Sequence, residues 1–573
     1  MTGRQPLRIP RILPGLTPRN AARETLAGVT LLAIAVPLNI GYAQIAGLPP
    51  TAGLYALIVP AIVYALIVSS RQLVASPDAA AAALVASSLG GLAVAGSQDY
   101  LVLAFAQAII AGVIFVLCAV FKLGFLASFL SKPILVGFVG GLALDILVSQ
   151  IAKMLGVKID SGGEFVDKVA GVVTGIPTAN LWSIVIAAGS VVVLVVGRRI
   201  ARVVPWALVV LIVSTVVVVA TGLEAFGVSV LGTVEAGPPT LTWPVIDWVT
   251  WLQLVPSAIA LALVTMAEGL LVARSYGEKR GYPTSPNRDL LAFGAGNIAA
   301  GATGGFTVGS STSRTAAMDQ AGSRTQLPSL VAAVGTLALV LFGTALLEHI
   351  PSPAIGAIVA IAILPLLGVR DFIALWRQDR FEFAVGAVCF LGALLLGPIA
   401  GIVLAFVLAL INLAKRAANP AVDILSDDDT PGDSVLPDAG RAPTSASGVV
   451  VVRFAAPLFF ANATVFEEAI RKAAGSRPPA SEPEVGPPAT PADAPAPAPV
   501  RDLVLDLEAV TDIDVTGAES FHSTRDWLTT HGVALHYSRL RPDLRAKLAH
   551  YDLLDGVDVY ATNRDAVAAL TSR

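Results

Sequence analysis

Runs of apolar residues close to the roughly twenty needed for a helix to cross a bilayer recur from Leu26 to Leu413. Clear runs cover 26–46, 52–68, 100–121, 133–155, 181–196, 205–221, 252–272, 330–346, 353–367, 381–396 and 398–413. Shorter or broken candidates lie at 78–94, 290–302 and 307–321, for about fourteen segments in all at that spanning length. Only 14% of the residues are charged, against about 25% in soluble domains, and the mean hydropathy is +0.75. The chain is therefore expected to be a polytopic α-helical membrane protein embedded in a lipid bilayer.

Several function classes drop out. The net charge of −3 gives no reason to expect a nucleic-acid partner. Cys118 and Cys389 both lie in apolar runs, which excludes a disulfide scaffold or a cysteine metal site. The five histidines show no metal-ligand spacing. There is no phosphate-binding loop of the Gly-rich Lys-Ser/Thr type, which argues against direct ATP-driven pumping. No nucleophile–base constellation is present, so the chain is not expected to be an enzyme, and no metal or organic cofactor is expected.

Basic residues orient the chain. Arg4, Arg8, Arg11, Arg19 and Arg23 precede the first run, and no signal-peptide pattern accompanies them. By the positive-inside rule they place the N-terminus in the cytoplasm. Arg71, Lys122, Arg198, Arg199, Arg202, Arg274, Lys279, Arg280, Arg370, Arg377 and Arg380 then fall in inner loops, with Lys415 and Arg416 at the exit. Outer loops carry mainly Lys153, Lys158 and Lys168. The pattern fits an even number of spans, both termini inside, in the plasma membrane.

Two polar, turn-rich stretches interrupt the apolar pattern. One is Ala75-Ser76-Pro77-Asp78-Ala79-Ala80; the other runs from Gly304 through Ser310, Ser311, Thr312 and Ser313 to Arg314 and Thr315. Paired interrupted segments in two halves of a chain point to a transporter binding site. Half-helix N-termini present unpaired N–H groups and a positive dipole end, and two of them meeting at the midplane would suit an anion. The plainer alternative is a pair of re-entrant loops buried in protein.

Charges at membrane depth cost about 2.5–3.5 kcal/mol on insertion scales, so each needs a reason. Arg314 sits at the first turn of the second polar half-helix and fits either an anion ligand or a counter-ion for a nearby acid. Glu268 in the 252–272 run fits a proton- or sodium-coupling carboxylate, or a partner of Arg314. Asp78 fits a helix N-cap or a second coupling acid. Asp145 follows Gly140-Gly141 with no neighbouring chemistry. The glycine pairs 140–141 and 304–305 suit close helix approach.

After Leu413 the composition changes. The stretch 417–447, with Asp427-Asp428-Asp429, reads as a linker. Strands at 449–454, 503–507 and 533–538 alternate with helices at 466–474, 517–529 and 542–548, the pattern of a small α/β domain. Residues 477–500 are a Pro/Ala-rich insertion that cannot bury a core. The expected layout is an N-terminal segment 1–24, a membrane domain 25–416, the linker, and a cytoplasmic domain 448–573.

The residues resemble a known family. Pro37, Tyr42 to Pro50 and Gly53-Leu54-Tyr55 look like the opening signature of SulP, the sulfate-permease-type anion transporters. Phe129 to Pro133 with Gly137-Phe138 continue the match. The region from Asn297 to Ala321, with Gly304-Gly305-Phe306, Ser313-Arg314-Thr315 and then Arg324-Thr325-Gln326, is its strongest part. The tail resembles a STAS domain at Ala456 to Ala463, Leu505-Asp506 and Asp512 to Gly517. The resemblance implies fourteen segments as seven plus seven inverted repeats, a core domain moving against a gate domain, and a dimer.

It also implies a site between the third and tenth half-helices: Ser76, Pro77, Asp78 and Ala79 facing Ser311, Thr312, Ser313 and Arg314. The cargo would be a small inorganic anion, sulfate or bicarbonate foremost, with H+ or Na+ as coupling ion at Glu268 or Asp78. An uncoupled exchanger or channel-like transporter, and a nucleobase-type permease of the same fold, are the alternatives. Leu38 departs from the family, where many members carry Gln or Glu. Thr516 matches a turn that is phosphorylated in stand-alone STAS regulators, and also reads as an N-cap; the STAS domain could bind a cytoplasmic regulator.

Overall fold

The computed structural model describes residues 13–128, 132–159, 163–201, 204–425, 448–475 and 500–572. Arg4, Arg8, Arg11, Arg202, the 129–131 part of the family motif, Asp427–Asp429 and nearly all of the 477–500 insertion lie outside the described residues. The chain divides into two compact units at Ala409/Leu410.

The first half of the membrane unit runs α1 (Ala21–Ile45), α2 (Pro50–Tyr55), α3 (Val59–Ile67), β1 (Ala75–Ser76), α4 (Ala79–Leu89), α5 (Gln98–Val120), α6 (Lys132–Leu155), α7 (Phe165–Gly175), α8 (Leu181–Ile200) and α9 (Trp206–Thr221). The second half runs α10 (Trp248–Arg280), α11 (Pro286–Ala302), β2 (Gly309–Ser310), α12 (Thr312–Gln320), α13 (Leu327–Phe342), α14 (Ala345–Glu348), α15 (Ser352–Ile363), α16 (Val369–Gln378), α17 (Arg380–Leu395) and α18 (Pro398–Ala418). Among the described residues, seven helical segments are by themselves long and apolar enough to span, and α4, α9 and α13 are shorter apolar helices. The protein is a polytopic helical membrane protein.

The two halves pack as copies related by a two-fold. Helix α1 packs on α13, and α10 packs on α5; α5 packs on α11, and α13 on α3; α6 packs on α17, and α15 on α8. Exchanging α1 with α10, α3 with α11, α5 with α13, α6 with α15 and α8 with α17 maps each of these contacts onto another. The pair α6 and α15 maps onto itself, as does the antiparallel pair β1 and β2. The counterparts follow one another in the same order in the two halves, as a repeated unit requires.

Glycine permits the closest approaches. A Cβ on Gly53 would sit 2.2 Å from the Asn39 carbonyl oxygen, and one on Gly137 would sit 2.1 Å from the Gly386 carbonyl oxygen. Asp145, without neighbouring chemistry in the sequence, is ion-paired to Lys168 of α7 at 2.8 Å.

The second unit is a five-stranded sheet in the order β3 (Val422–Leu425), β4 (Val449–Phe454), β5 (Asp502–Asp506), β6 (Ala534–Ser538), β7 (Val559–Tyr560). Strands β4 to β7 are parallel, and β3 joins antiparallel to β4. Strand β3 lies within the stretch read as linker. Its four residues, Val-Asp-Ile-Leu, are too short a pattern to stand out beside acidic and Pro-rich sequence. Helices α19 (Ala463–Ala473), α20 (Val515–Thr530), α21 (Pro542–His550) and α22 (Asn563–Thr571) complete the unit.

Phe466 and Phe521 meet at 4.9 Å in its core, against Leu503, Leu505 and Tyr537; burying each such side chain contributes about 1.5–3 kcal/mol. Asp506 is fully buried at the end of β5 and accepts from Arg453 Nε at 2.9 Å and Asn563 Nδ2 at 3.0 Å. Replacing it by alanine strands the largely buried Arg453. Asp506→Ala is expected to cost about 3–5 kcal/mol, lowering the calorimetric transition of this unit in the full chain by more than about 10 °C. Arg453→Leu in the same background should restore part of that loss.

Candidate substrate site

The two polar stretches meet at the centre of the membrane unit. Strands β1 and β2 pair antiparallel, with Ala75 opposite Ser310 and Ser76 opposite Gly309. The Ser311 N–H donates to the Val74 carbonyl at 3.0 Å, and the Thr315 hydroxyl accepts from the Val74 N–H at 3.0 Å. Helices α4 and α12 start within three residues of this short ladder.

The break before β2 has a local cause. Gly304 adopts φ +77°, a left-handed conformation that favours glycine. The Asn297 side chain then holds the extended segment, donating to the Phe293 and Val308 carbonyls and accepting from the Val308 N–H at 3.0 Å. On the other side Pro77 cannot donate a backbone hydrogen bond, and Asp78 caps α4 by accepting from the Ala81 N–H at 2.8 Å. Ser311 caps α12, its hydroxyl oxygen 3.4 Å from the Arg314 backbone nitrogen.

Arg314 is the centre of this arrangement, 1% exposed. Its guanidinium donates to Ser311 Oγ at 2.8 Å, to Asn39 Oδ1 on α1 at 2.9 Å, and to the Pro77 carbonyl. The Tyr42 ring lies 5.6 Å away. All three acceptors are neutral. No ion pair within 4 Å joins Arg314 to Glu268 or Asp78 among the described residues. Its direct hydrogen bonds therefore all go to dipoles rather than to a carboxylate.

The eight residues predicted to face each other differ in burial. Ser76, Pro77, Ala79, Ser311 and Arg314 are buried at the junction; Asp78 is half-buried; Thr312 and Ser313 on the first turn of α12 are exposed to the space beside it. The hydroxyls of Ser76, Thr307 and Ser310 are buried with no hydrogen-bond partner. Such groups cost about 1–3 kcal/mol each when unsatisfied, and here they cluster where two helix N-termini converge.

Glu268 is half-buried on α10, with no hydrogen bond or ion pair among the described residues. One turn before it, Thr265 approaches Gly309, where a Cβ would stand 3.4 Å from Thr265 Oγ1 and 2.1 Å from Asp78 Oδ2. A cavity of about 820 Å³ is lined by Ala267 and Leu270 of the same helix, with Arg274 and Lys132 on its walls. Gly309→Ala would push the Asp78 carboxylate off its cap. With overpacking costs of about 1–3 kcal/mol, anion uptake in proteoliposomes should fall by roughly 5- to 160-fold, with an unchanged gel-filtration profile.

Sequence reasoning missed Asn39 and the role of Tyr42. Asn39 was legible as one of two amides, with Gln44, inside the apolar run 26–46, a polar residue at membrane depth. It stands next to Leu38, the departure from the family pattern. Arg324-Thr325-Gln326 proves structural: the fully buried Glu24 carboxylate accepts from Ser323 Oγ and the Arg324 N–H at 2.7 Å and from Thr325 Oγ1 at 2.9 Å. The N-cap reading of Thr516 is corrected. Helix α20 starts at Val515, its cap is Asp514, which accepts from the Gly517 N–H at 2.7 Å, and Thr516 is exposed on the first turn.

Comparison with known proteins gives this geometry its context. The sulfate permease family profile matches residues 22–389. The chain belongs to the sulfate permease family. A STAS domain matches residues 443–566. A probable sulfate transporter of Mycobacterium tuberculosis is 34% identical over 555 residues, 96% of this chain and 95% of that protein. High affinity sulfate transporter 2 of Stylosanthes hamata is 26% identical, over 95% of this chain and 84% of its own. Among solved structures, SLC26A9 superposes with a TM-score of 0.86 at 21% identity, over 98% of this chain and 91% of its own. The transmembrane domain of the cyanobacterial bicarbonate transporter BicA gives 0.59 at 22% identity, over 70% and 99%. These two share the fold of this sulfate permease family member, and the sequence relatives are named as transporters rather than enzymes.

Proposed function

We propose that this protein is a secondary active transporter that carries a small inorganic anion, sulfate or bicarbonate, through alternating access, coupled to H+ or Na+ at Glu268 or Asp78. The observation that carries the reading is Arg314, a buried cation held by three neutral acceptors at the meeting point of two half-helix N-termini. The exposed hydroxyl residues Thr312 and Ser313 and the orphan hydroxyls of Ser76 and Ser310 supply donors for an oxyanion. The names of the curated relatives favour sulfate, and the BicA neighbour keeps bicarbonate in view.

Glu268 supports cation coupling. An ionised carboxylate with no partner near the membrane centre is costly, and a bound proton or sodium ion removes that cost. Asp78 stands beside the same junction, so an incoming anion meets one fixed cation and two acids, and neutralising the acids favours anion entry. The basic inner loops support a cytoplasmic N-terminus and plasma-membrane insertion; the family resemblance supports a homodimer. Regulator binding at the STAS domain and phosphorylation of exposed Thr516 belong to the same proposal.

The test is a labelled-anion panel on purified protein in proteoliposomes, with pH and sodium varied separately. Saturable uptake of sulfate or bicarbonate, and none of labelled uracil, is expected. Uracil uptake without anion uptake would favour a nucleobase permease.

A further inference from the structure

Lys153 is an anomaly of the membrane unit. It lies in the last turn of α6, half-buried, and no carboxylate pairs with it among the described residues. A lysine at a helix end ordinarily extends its ammonium toward water. Here Nζ turns to the side chain of Gln44 on α1, donating to Oε1 at 3.1 Å.

One turn earlier, Gln150 is 0% exposed, and neither its carboxamide oxygen nor its nitrogen has a hydrogen-bond partner. Ser149 beside it is buried as well. All of these line one cavity of about 380 Å³ between the end of α1, the second half of α4 and α6, room for roughly a dozen waters at ~30 Å³ each.

The other charges around the cavity do not supply a partner. Asp145 is closed onto Lys168 by contacts of 3.0 and 2.8 Å, and Glu164 stands exposed at the rim. Lys153 is thus a cation matched only to a neutral amide, beside an unsatisfied buried carboxamide.

We infer that this cavity is a second anion-binding site, in which Lys153 Nζ, the Gln150 carboxamide N–H and the Ser149 hydroxyl hold a small inorganic anion. Binding exchanges the Lys153–Gln44 hydrogen bond for one in which donor and acceptor are both charged, the stronger of the two. Helix α4 connects this place to the central site: Asp78 and Ala79 begin it, and Ser87, on the cavity wall, lies about 12 Å further along at 1.5 Å per residue. With the N-terminus cytoplasmic, the cavity faces outward, so an external anion reaches Lys153 before Arg314. The inference rests on the anion-transport reading and adds a separate site to it.

The test uses the purified full chain with sulfate as probe. In thermal melts against sodium gluconate, sodium sulfate should stabilise the wild type and Arg314→Gln, and should give no added stabilisation in Arg314→Gln/Lys153→Gln. Loss of the sulfate effect in Arg314→Gln alone, or its persistence in the double variant, overturns the second site. In proteoliposomes, Lys153→Gln should raise the external KM for sulfate at least fivefold and leave the internal KM within twofold, and Lys153→Arg should restore the external KM. A drop in Vmax from both sides with both KM values unchanged also overturns it. Absence of sulfate uptake by wild-type protein that sulfate still stabilises counts against the transport reading, and leaves the second site supported.

Discussion

Arg314→Gln is expected to lower the apparent affinity for the transported anion by roughly 10- to 150-fold. The estimate takes about 1.5–3 kcal/mol for a hydrogen bond to a charged group and a factor of ten per 1.4 kcal/mol. Glutamine keeps a planar donor that can still serve Asn39 Oδ1 or the Pro77 carbonyl, so the junction between α4 and α12 should survive while the positive charge is lost. Arg314→Lys tests the geometry instead. Lysine retains the charge but cannot replace a planar fork that reaches Ser311, Asn39 and Pro77 at once. Recovery of less than about a tenth of wild-type uptake is expected on that ground. Measured as concentration-dependent uptake of labelled sulfate and bicarbonate, unchanged affinity in Arg314→Gln would remove Arg314 from the site.

Glu268→Gln should separate coupling from anion recognition. The amide imitates the neutralised carboxyl permanently, so no cation has to enter with the anion. Anion exchange should persist, while accumulation driven by an imposed H+ or Na+ gradient falls at least about tenfold, equivalent to ~1.4 kcal/mol. Retained gradient-driven accumulation would shift the coupling role to Asp78. An uncoupled exchanger makes a different prediction, since its wild type would already ignore both gradients.

Much of the architecture was legible because the bilayer imposes a length rule on each span. The recurrent apolar runs, the two polar interruptions and the change of composition after Leu413 marked the main parts. The inverted halves came from the resemblance and reappear as packing: α1 on α13 matches α10 on α5. Features set by tertiary contact were not legible. Strand β3 is four residues long and becomes a strand by pairing with β4. Helix α20 begins at Val515 because Asp514 caps it and also accepts from the Phe460 N–H at 3.1 Å.

The site divides in the same way. Ser76, Asp78, Ser311 and Arg314 stood out as polar residues in apolar surroundings. Their partners did not, because Asn39 lies 275 positions from Arg314 in sequence and nothing local joins them. The sequence left Glu268 open as a partner of Arg314, and only the fold places Arg314 against neutral acceptors. The cavity at Lys153 was hidden for a related reason. Lys153 and Lys168 both read as outer-loop lysines, whereas one is paired to Asp145 and the other to Gln44.

The most direct test of the account is gradient-driven accumulation of labelled anion by the purified wild-type protein in proteoliposomes. Labelled sulfate and bicarbonate are supplied at equal concentration on both sides, and a proton or sodium gradient is imposed in separate experiments. The account predicts that one anion concentrates inside when one of the gradients points inward, and that collapsing that gradient abolishes the accumulation. Equilibration without accumulation under either gradient would contradict it.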